Sequence, residues 1–346
     1  MKRGKEIKAV VWDLDGTIWD GILLENDDVR LKPGIRKIVE TLDSRGILHS
    51  VASRNDFDTA MGKLKDFELA DFFLFPEIGW NAKSVFLGRI RESLNIGMDT
   101  ILFIDDSPFE RDEVRYVYPE IWCVDAAKYK SLPRMARLNP RFVTEDSRRR
   151  RLMYTEDVIR KKDEKSFDGP RKDFLASLDI ELVIAEGKES DLQRAEELTV
   201  RTNQLNTTGL TFSYDELKDF IHSPTHKLYI CAMKDRYGSS GKIGLALVER
   251  SRSFWHLKLF LMSCRVLSYG VGTIVLSYIM QEAKKAGKKL RVDFKETGKN
   301  RQMYITLKFA NFHEVTSNEK GIIVLEHDLS FIQKTPAYVK LITENE

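Results

Sequence analysis

The chain has 346 residues, 42% of them hydrophobic and 32% charged, with a formal net charge of +3. That length favours two domains over a single core, and so slight a positive balance gives no basis for nucleic-acid binding. Three cysteines without metal-type spacing (Cys123, Cys231, Cys264), no signal-peptide run and no bilayer-length apolar segment lead to the expectation of a soluble, cytoplasmic protein with reduced thiols.

The first predicted element is a buried strand over residues 7–12, rich in valine and bounded by Asp13 and Gly16. "KPGIRKIVETLDSRG" (32–46) predicts a helix with Pro33 near its start and Gly46 at its end. "ILHSVAS" (47–53) and "FFLF" (72–75) are further apolar runs, separated by the helical pattern "FDTAMGKLKDFEL". A helix from about Lys83 to Leu94 and the strand "TILFIDDS" (100–107) continue the alternation. Strands alternating with helices predict a parallel, Rossmann-like α/β sheet covered on both faces, with its active site at the carboxyl ends of the strands. Asp13, Ser53 and the pair Asp105–Asp106 all fall at such ends.

Residues 144–173 are nearly all charged. They read either as a solvated helix and linker or as a docking surface built on Arg148 to Arg151. The predicted organisation is therefore a first domain over 1–143, this linker, and a second domain over 174–346. In the second, strands are expected at 180–187, 227–235, 242–251, 255–267 and 289–294, with a helix over 271–287.

Two aspartates spaced two apart after a buried strand suit phosphoryl transfer. The carboxylate of Asp13 can attack phosphorus, and Asp15 can protonate the leaving oxygen and later activate water. Gly16 permits the tight turn that aims both into one pocket. Ser53 offers a hydroxyl and Lys83 an ammonium to the phosphoryl oxygens, while Asp105 or Asp106 supplies a hard oxygen ligand for Mg2+.

The motifs "DLDGT", "VAS", Lys83 and "FIDD", in this order, resemble the haloacid dehalogenase superfamily of phosphohydrolases over residues 7–125. The resemblance implies that Asp13 is the nucleophile and Asp15 the acid/base. Asp13, the backbone carbonyl of Asp15, and Asp105 or Asp106 would hold Mg2+. Residues 16–31 are too few for a lid domain, which suits a bulky or tethered substrate.

Further stretches narrow the likeness. "LNIGMDTILFIDDSPFERDEVR", "RRLMYTED", "TNQLNTT", "KDRYGSSGKIG", "FLMSCRVLSYGV" and "TGKN" resemble FkbH-like proteins, in which a phosphatase-type domain precedes an acetyltransferase-like (GNAT-like) α/β domain. That resemblance implies transfer of a glyceryl unit from 1,3-bisphosphoglycerate to the phosphopantetheine thiol of an acyl carrier protein in polyketide-type biosynthesis, with loss of the phosphates. Cys264 then has two readings, an acyl-accepting thiol or a small packed strand residue. Asn203 and Gln204 either cap a loop or bind the glyceryl hydroxyls, and Asn206 is read as a cap. Arg265, Thr297, Lys299 and Asn300 are candidate lining of an acyl or pantetheine pocket. The sequence departs from the pattern at Ser268, where a pyrophosphate-gripping turn has glycine, and at Ala52, where cysteine is common. The histidines, His49 and His256 among them, show no triad spacing and read as structural. Two other functions stay open: a plain Mg2+ phosphatase whose second domain only stabilises it, and a noncatalytic docking partner of a carrier protein.

Overall fold

The structure is a computed structural model and describes residues 5–25 and 28–343. The chain forms two compact units, Met1–Thr155 and Glu156–Glu346. In the first, β1 (Ala9–Trp12) is followed by a short antiparallel ribbon of β2 (Trp19–Asp20) and β3 (Arg30–Leu31). Then come α1 (Ile35–Ser44), β4 (Leu48–Ser53), α2 (Phe57–Asp66), β5 (Glu77–Ile78), α3 (Lys83–Leu94), β6 (Ile101–Asp105), α4 (Pro108–Val117) and β7 (Trp122–Asp125). The five main strands pair in parallel in the order β5-β4-β1-β6-β7.

Every residue of β1, β4 and β6 is buried, because helices cover both faces. Val10, Trp12, Val51 and Ile104 pack in one apolar layer, while Ala9, Val11, Ala52 and Phe103 pack in the other. The connections reverse direction at β1, so the ends of β1, β4 and β6 open onto one crevice, the place where such sheets bind ligands.

"FFLF" does not form the expected strand. Phe73 makes a single bridge to His49, Phe75 has φ 51, and the strand that joins the sheet is Glu77–Ile78. A left-handed residue directly before Pro76 turns the chain, so the apolar run serves packing rather than pairing.

His49 is sealed inside this unit, accepting a hydrogen bond from Trp12 Nε1 (2.9 Å) at Nδ1 while Nε2 lies 3.1 Å from the Val39 carbonyl. Burial pushes its pKa down to about 3, and the nearby Arg151 acts in the same direction. The unfolded chain therefore binds this proton below pH 6.5 when the native one does not, and stability falls as pH falls. Between pH 7 and pH 5 His49 is expected to remove about 2 kcal/mol from the unit's stability. Urea unfolding of the full chain and of His49→Gln at both pH values checks this; equal pH dependence in the two proteins would remove His49 as the cause.

The charged stretch after residue 143 folds as α5 (Glu145–Arg148), α6 (Arg150–Ser166) and α7 (Arg171–Ala176), with the division between the units inside α6. Two of the arginines from Arg148 to Arg151 are tied down within the first unit. Arg150 donates to the Gly46 carbonyl at 2.6 Å, and Arg151 pairs with Asp43 at 3.0 Å and lies over Phe72.

The second unit comprises β8 (Ile180–Glu186), α8 (Leu192–Arg201), α9 (Tyr214–His222), β9 (His226–Asp235), β10 (Gly238–Arg250), β11 (Phe254–Met262), α10 (Val271–Lys285), β12 (Lys289–Lys295), α11 (Arg301–Phe309), β13 (His313–Ser317), β14 (Ile322–His327) and β15 (Val339–Thr343). They form a mixed eight-stranded sheet in the order β13-β14-β12-β11-β10-β9-β8-β15. The apolar stretch expected to remain a strand to residue 267 ends at Met262. Cys264–Tyr269 is a 3-10 turn, closed by left-handed Gly270 at the start of α10.

β11 and β12 pair in parallel only over Phe254–Leu257 and Lys289–Val292 and then part. Residues 205–207 enter the gap. Thr207 N–H donates to Phe260 O (2.9 Å), Met262 N–H to Leu205 O (2.9 Å) and Lys295 N–H to Thr207 O (2.9 Å). The segment thus supplies partners that the diverging strands lack.

Candidate active site

Asp13 directly follows β1, Ser53 ends β4, Asp105 ends β6 and Lys83 opens α3. The topology brings them together. A recess of about 350 Å³ is lined by Asp13, Asp15, Gly16, Gly21, Ile22, Ser53, Arg54, Lys83, Asp106 and Glu110. Gly16 has φ 66, and a Cβ there would collide with the Asp106 carboxylate, so glycine serves both the turn and the close approach.

Lys83 is the hub. Its side chain is 1% exposed, its ammonium bonds Asp13 Oδ1 and the Ala52 carbonyl (2.8 Å), and it pairs with Asp105 and Glu110 at 3.3 Å each. Burial alone would drive it toward neutrality, but the charges of Asp13, Asp105 and Glu110 outweigh that and hold its pKa above the ordinary lysine value.

Asp15 is fixed by three donors. Trp19 Nε1 (2.6 Å) and the Leu23 N–H (3.1 Å) reach Oδ1, and Asn55 Nδ2 (3.0 Å) reaches Oδ2. Its pKa is raised, chiefly by burial and then by the charge of Asp13, against the lowering pull of Trp19 and Leu23. A carboxyl that holds its proton more firmly than usual suits an acid in catalysis.

Asp105 Oδ1 accepts from the Ser107 N–H (2.8 Å), while its buried Oδ2 faces the Lys83 ammonium at 3.3 Å. Burial and the neighbouring Asp13 charge push its pKa well above the usual carboxylate range. Oxygens of Asp13, Asp105 and Glu110 lie within 4.8 Å of one another. Hard carboxylate oxygens gathered this closely fit a divalent cation such as Mg2+. Glu110, which the sequence did not suggest, joins Asp13 and Asp105 in this cluster, and Asp106 lines the same recess. The Asp15 side chain is held by its three donors, which leaves its backbone carbonyl for a metal, as the resemblance implies.

Sequence reasoning missed Glu110, Arg54, Asn55 and Trp19. Ser107 caps α4 and Pro108 opens it, so a glutamate in its first turn reads as helix capping. Only the fold shows it facing Lys83 and Arg54.

In the second unit Cys264 is half-buried at the start of the 3-10 turn. The antiparallel bridge Asn206–Leu261 and the Leu205–Met262 hydrogen bond carry the chain at Asn203 and Gln204, both exposed, toward the end of β11 from which Cys264 follows. Arg265 reaches Ser240 O at 3.4 Å. Thr297 and Lys299 are exposed, whereas Asn300 is fully buried. Its amide donates to the carbonyls of Asn206 (2.9 Å) and Lys295 (2.9 Å) and accepts from the Thr297 N–H (3.0 Å). Asn300 is therefore a bolt between loops and not a pocket lining, and Asn206, which accepts from the N–H groups of Thr208 (3.1 Å) and Gly209 (2.9 Å), organises its loop as expected.

No protein-family model matches the chain, and no curated protein matches it in sequence. Among solved structures it is similar to the N-terminal part of protein BF1531 from Bacteroides fragilis, which contains a phosphatase domain and is complexed with Mg. The identity is 28% and the TM-score 0.35, covering 39% of this chain and 41% of that one. It is also similar to the ribosomal-protein-S18-alanine N-acetyltransferase from Escherichia coli (13% identity, TM-score 0.35, 45% of this chain and 98% of that one). An N-acetyltransferase from Staphylococcus aureus gives 14% identity, TM-score 0.34, and coverages of 43% and 99%. No described helix is long and apolar enough to cross a membrane.

Proposed function

We propose that the first unit is a magnesium-dependent phosphatase acting through Asp13 and that the second is an acyltransferase-like module. Together they move a glyceryl unit from 1,3-bisphosphoglycerate to the phosphopantetheine thiol of an acyl carrier protein. The observation that carries the phosphatase half is the meeting of Asp13, Asp15, Lys83 and Asp105 at one crevice.

Lys83 holds Asp13 Oδ1, leaving Oδ2 as the attacking atom. As Oδ2 bonds to phosphorus, the bond to the leaving oxygen breaks and Asp15 passes its proton to that oxygen. Asp15 then takes a proton from water, whose oxygen attacks phosphorus and frees Asp13 and inorganic phosphate. Lys83 and Ser53 face the phosphoryl oxygens throughout. Asp13, Asp105 and Glu110 would hold a divalent cation, whose positive charge would let an anionic phosphate approach a carboxylate.

In the acyl half, the thiolate of Cys264 attacks the acyl-phosphate carbonyl, the carbon–oxygen bond to phosphate breaks, and inorganic phosphate leaves. The pantetheine thiolate then displaces Cys264; the 3-phosphate ester is removed beforehand at the Asp13 site, while C1 still carries its acyl phosphate. The course of residues 203–206 along β11 toward Cys264 supports this reading. The chain incubated with 1,3-bisphosphoglycerate and no carrier is expected to gain a thioester-linked mass on the "SCRVL" peptide, which hydroxylamine removes. Cys264→Ala is expected to lose carrier loading, read by mass spectrometry of the holo carrier. Full loading by Cys264→Ala would mean that the pantetheine thiol attacks the acyl phosphate directly. Absence of loading by the unaltered chain would leave a phosphatase alone.

A further inference from the structure

The recess is strongly acidic. Asp13, Asp15, Asp106 and Glu110 bring carboxylates to it, and among its described lining residues the cations are Lys83 and Arg54. The two cations are not equivalent. Lys83 is buried and committed to Asp13, Asp105 and Glu110. Arg54 stands on the loop between β4 and α2, 44% exposed, and pairs with Glu110 at 3.3 Å. That partner is itself shared with Lys83 at 3.3 Å. A guanidinium stays charged at any working pH and presents a planar fork that fits a carboxylate or a phosphate.

We propose that Arg54 is the specificity-determining residue of this site: it receives a second anionic group of the substrate, carboxylate or phosphate, while the phosphoryl group to be transferred lies against Asp13 and Lys83. The proposal rests on the phosphatase reading and narrows its substrates to small molecules with two separated anions. The other charged groups of the lining are carboxylates, which repel a second anion, and Lys83, which is already committed. At Arg54 it replaces Glu110, so one carboxylate–guanidinium contact is exchanged for another and the displaced Glu110 keeps Lys83. Arg54 also follows Ser53 directly in the chain, so the residue that reads the second anion is held in register with one that faces the first.

Glycerol 3-phosphate and 3-phosphoglycerate differ by a hydroxymethyl group against a carboxylate, and they form the matched pair for the test. Calorimetric titration of the full-length chain in magnesium, with turnover blocked by Asp13→Asn, is expected to show 3-phosphoglycerate binding at least tenfold more tightly. Arg54→Gln in the same background is expected to abolish that preference, and Arg54→Lys to restore part of it. Equal binding of the two ligands, a preference untouched by Arg54→Gln, or no binding of 3-phosphoglycerate would each overturn the proposal. Binding needs no chemistry, so this result stands apart from the phosphatase reading, which fails instead if phosphate release survives loss of Asp13.

Discussion

Asp13→Asn is expected to lower magnesium-dependent phosphate release at least about a thousandfold, equivalent to ~4 kcal/mol of barrier. Asparagine keeps the shape of the side chain but lacks the anionic oxygen that must bond to phosphorus. Lys83 would still face Asp105 and Glu110, so the fold has reason to persist while chemistry stops. Steady-state phosphate release, with circular dichroism as the control for folding, reads both effects. Asp15→Asn is expected to fail differently, at the proton transfers to the leaving group and from water, so that any phosphorylated enzyme formed lasts longer. Near-normal release by Asp13→Asn would sink the covalent mechanism.

The largest stability effect is expected at Lys83. Methionine in its place leaves Asp13, Asp105 and Glu110 facing one another with their buried counter-ion gone. Removing one member of a buried charge cluster costs about 3–5 kcal/mol, so Lys83→Met should unfold well before the parent protein in EDTA. Magnesium should then recover more stability in the variant than in the parent, because it replaces a charge that the parent already has. Acid should also narrow the gap between the variant and the parent. Asp105, its pKa raised by burial and by Asp13, takes up a proton at a higher pH folded than unfolded, so lowering the pH favours the folded form. Urea unfolding with and without magnesium at two pH values tests all three statements. Identical midpoints for Lys83→Met and the parent in EDTA would show that the cluster is held by something other than the lysine.

The sheet of the first unit was legible because its central strands are buried on both faces and read as unbroken apolar runs. α3 likewise begins at Lys83 as expected. β5 was not legible, being two residues long and at the sheet edge, while the longer apolar run before it packs without pairing. The aspartates, Ser53 and Lys83 were legible as candidate site residues because each stands where a strand or helix boundary puts side chains into the crevice. Glu110 and Asn55 were not, because nothing local marks them. Glu110 looks like an ordinary first-turn glutamate, and Asn55 acts through a carboxylate 40 residues earlier. In the second unit, alternation located the main strands and α10, but the end of β11 depends on the turn that leads into α10. An apolar run cannot show where such a turn begins.

The wedge of residues 205–207 between β11 and β12 has a consequence for the order of assembly. Its partners come late in the chain: the Thr207 hydroxyl meets the amide of Phe260, 53 residues on, and the Asn300 side chain that clamps the Asn206 carbonyl is 94 residues away. Contacts this remote carry a loop-closure cost that must be met before they stabilise anything. During synthesis the segment leaves the ribosome well ahead of both strands it joins, and it stays unclamped until Asn300 follows. The second unit can form α8 and the β9–β10–β11 meander first, but the two arms of its sheet are locked together only after most of the chain has been made.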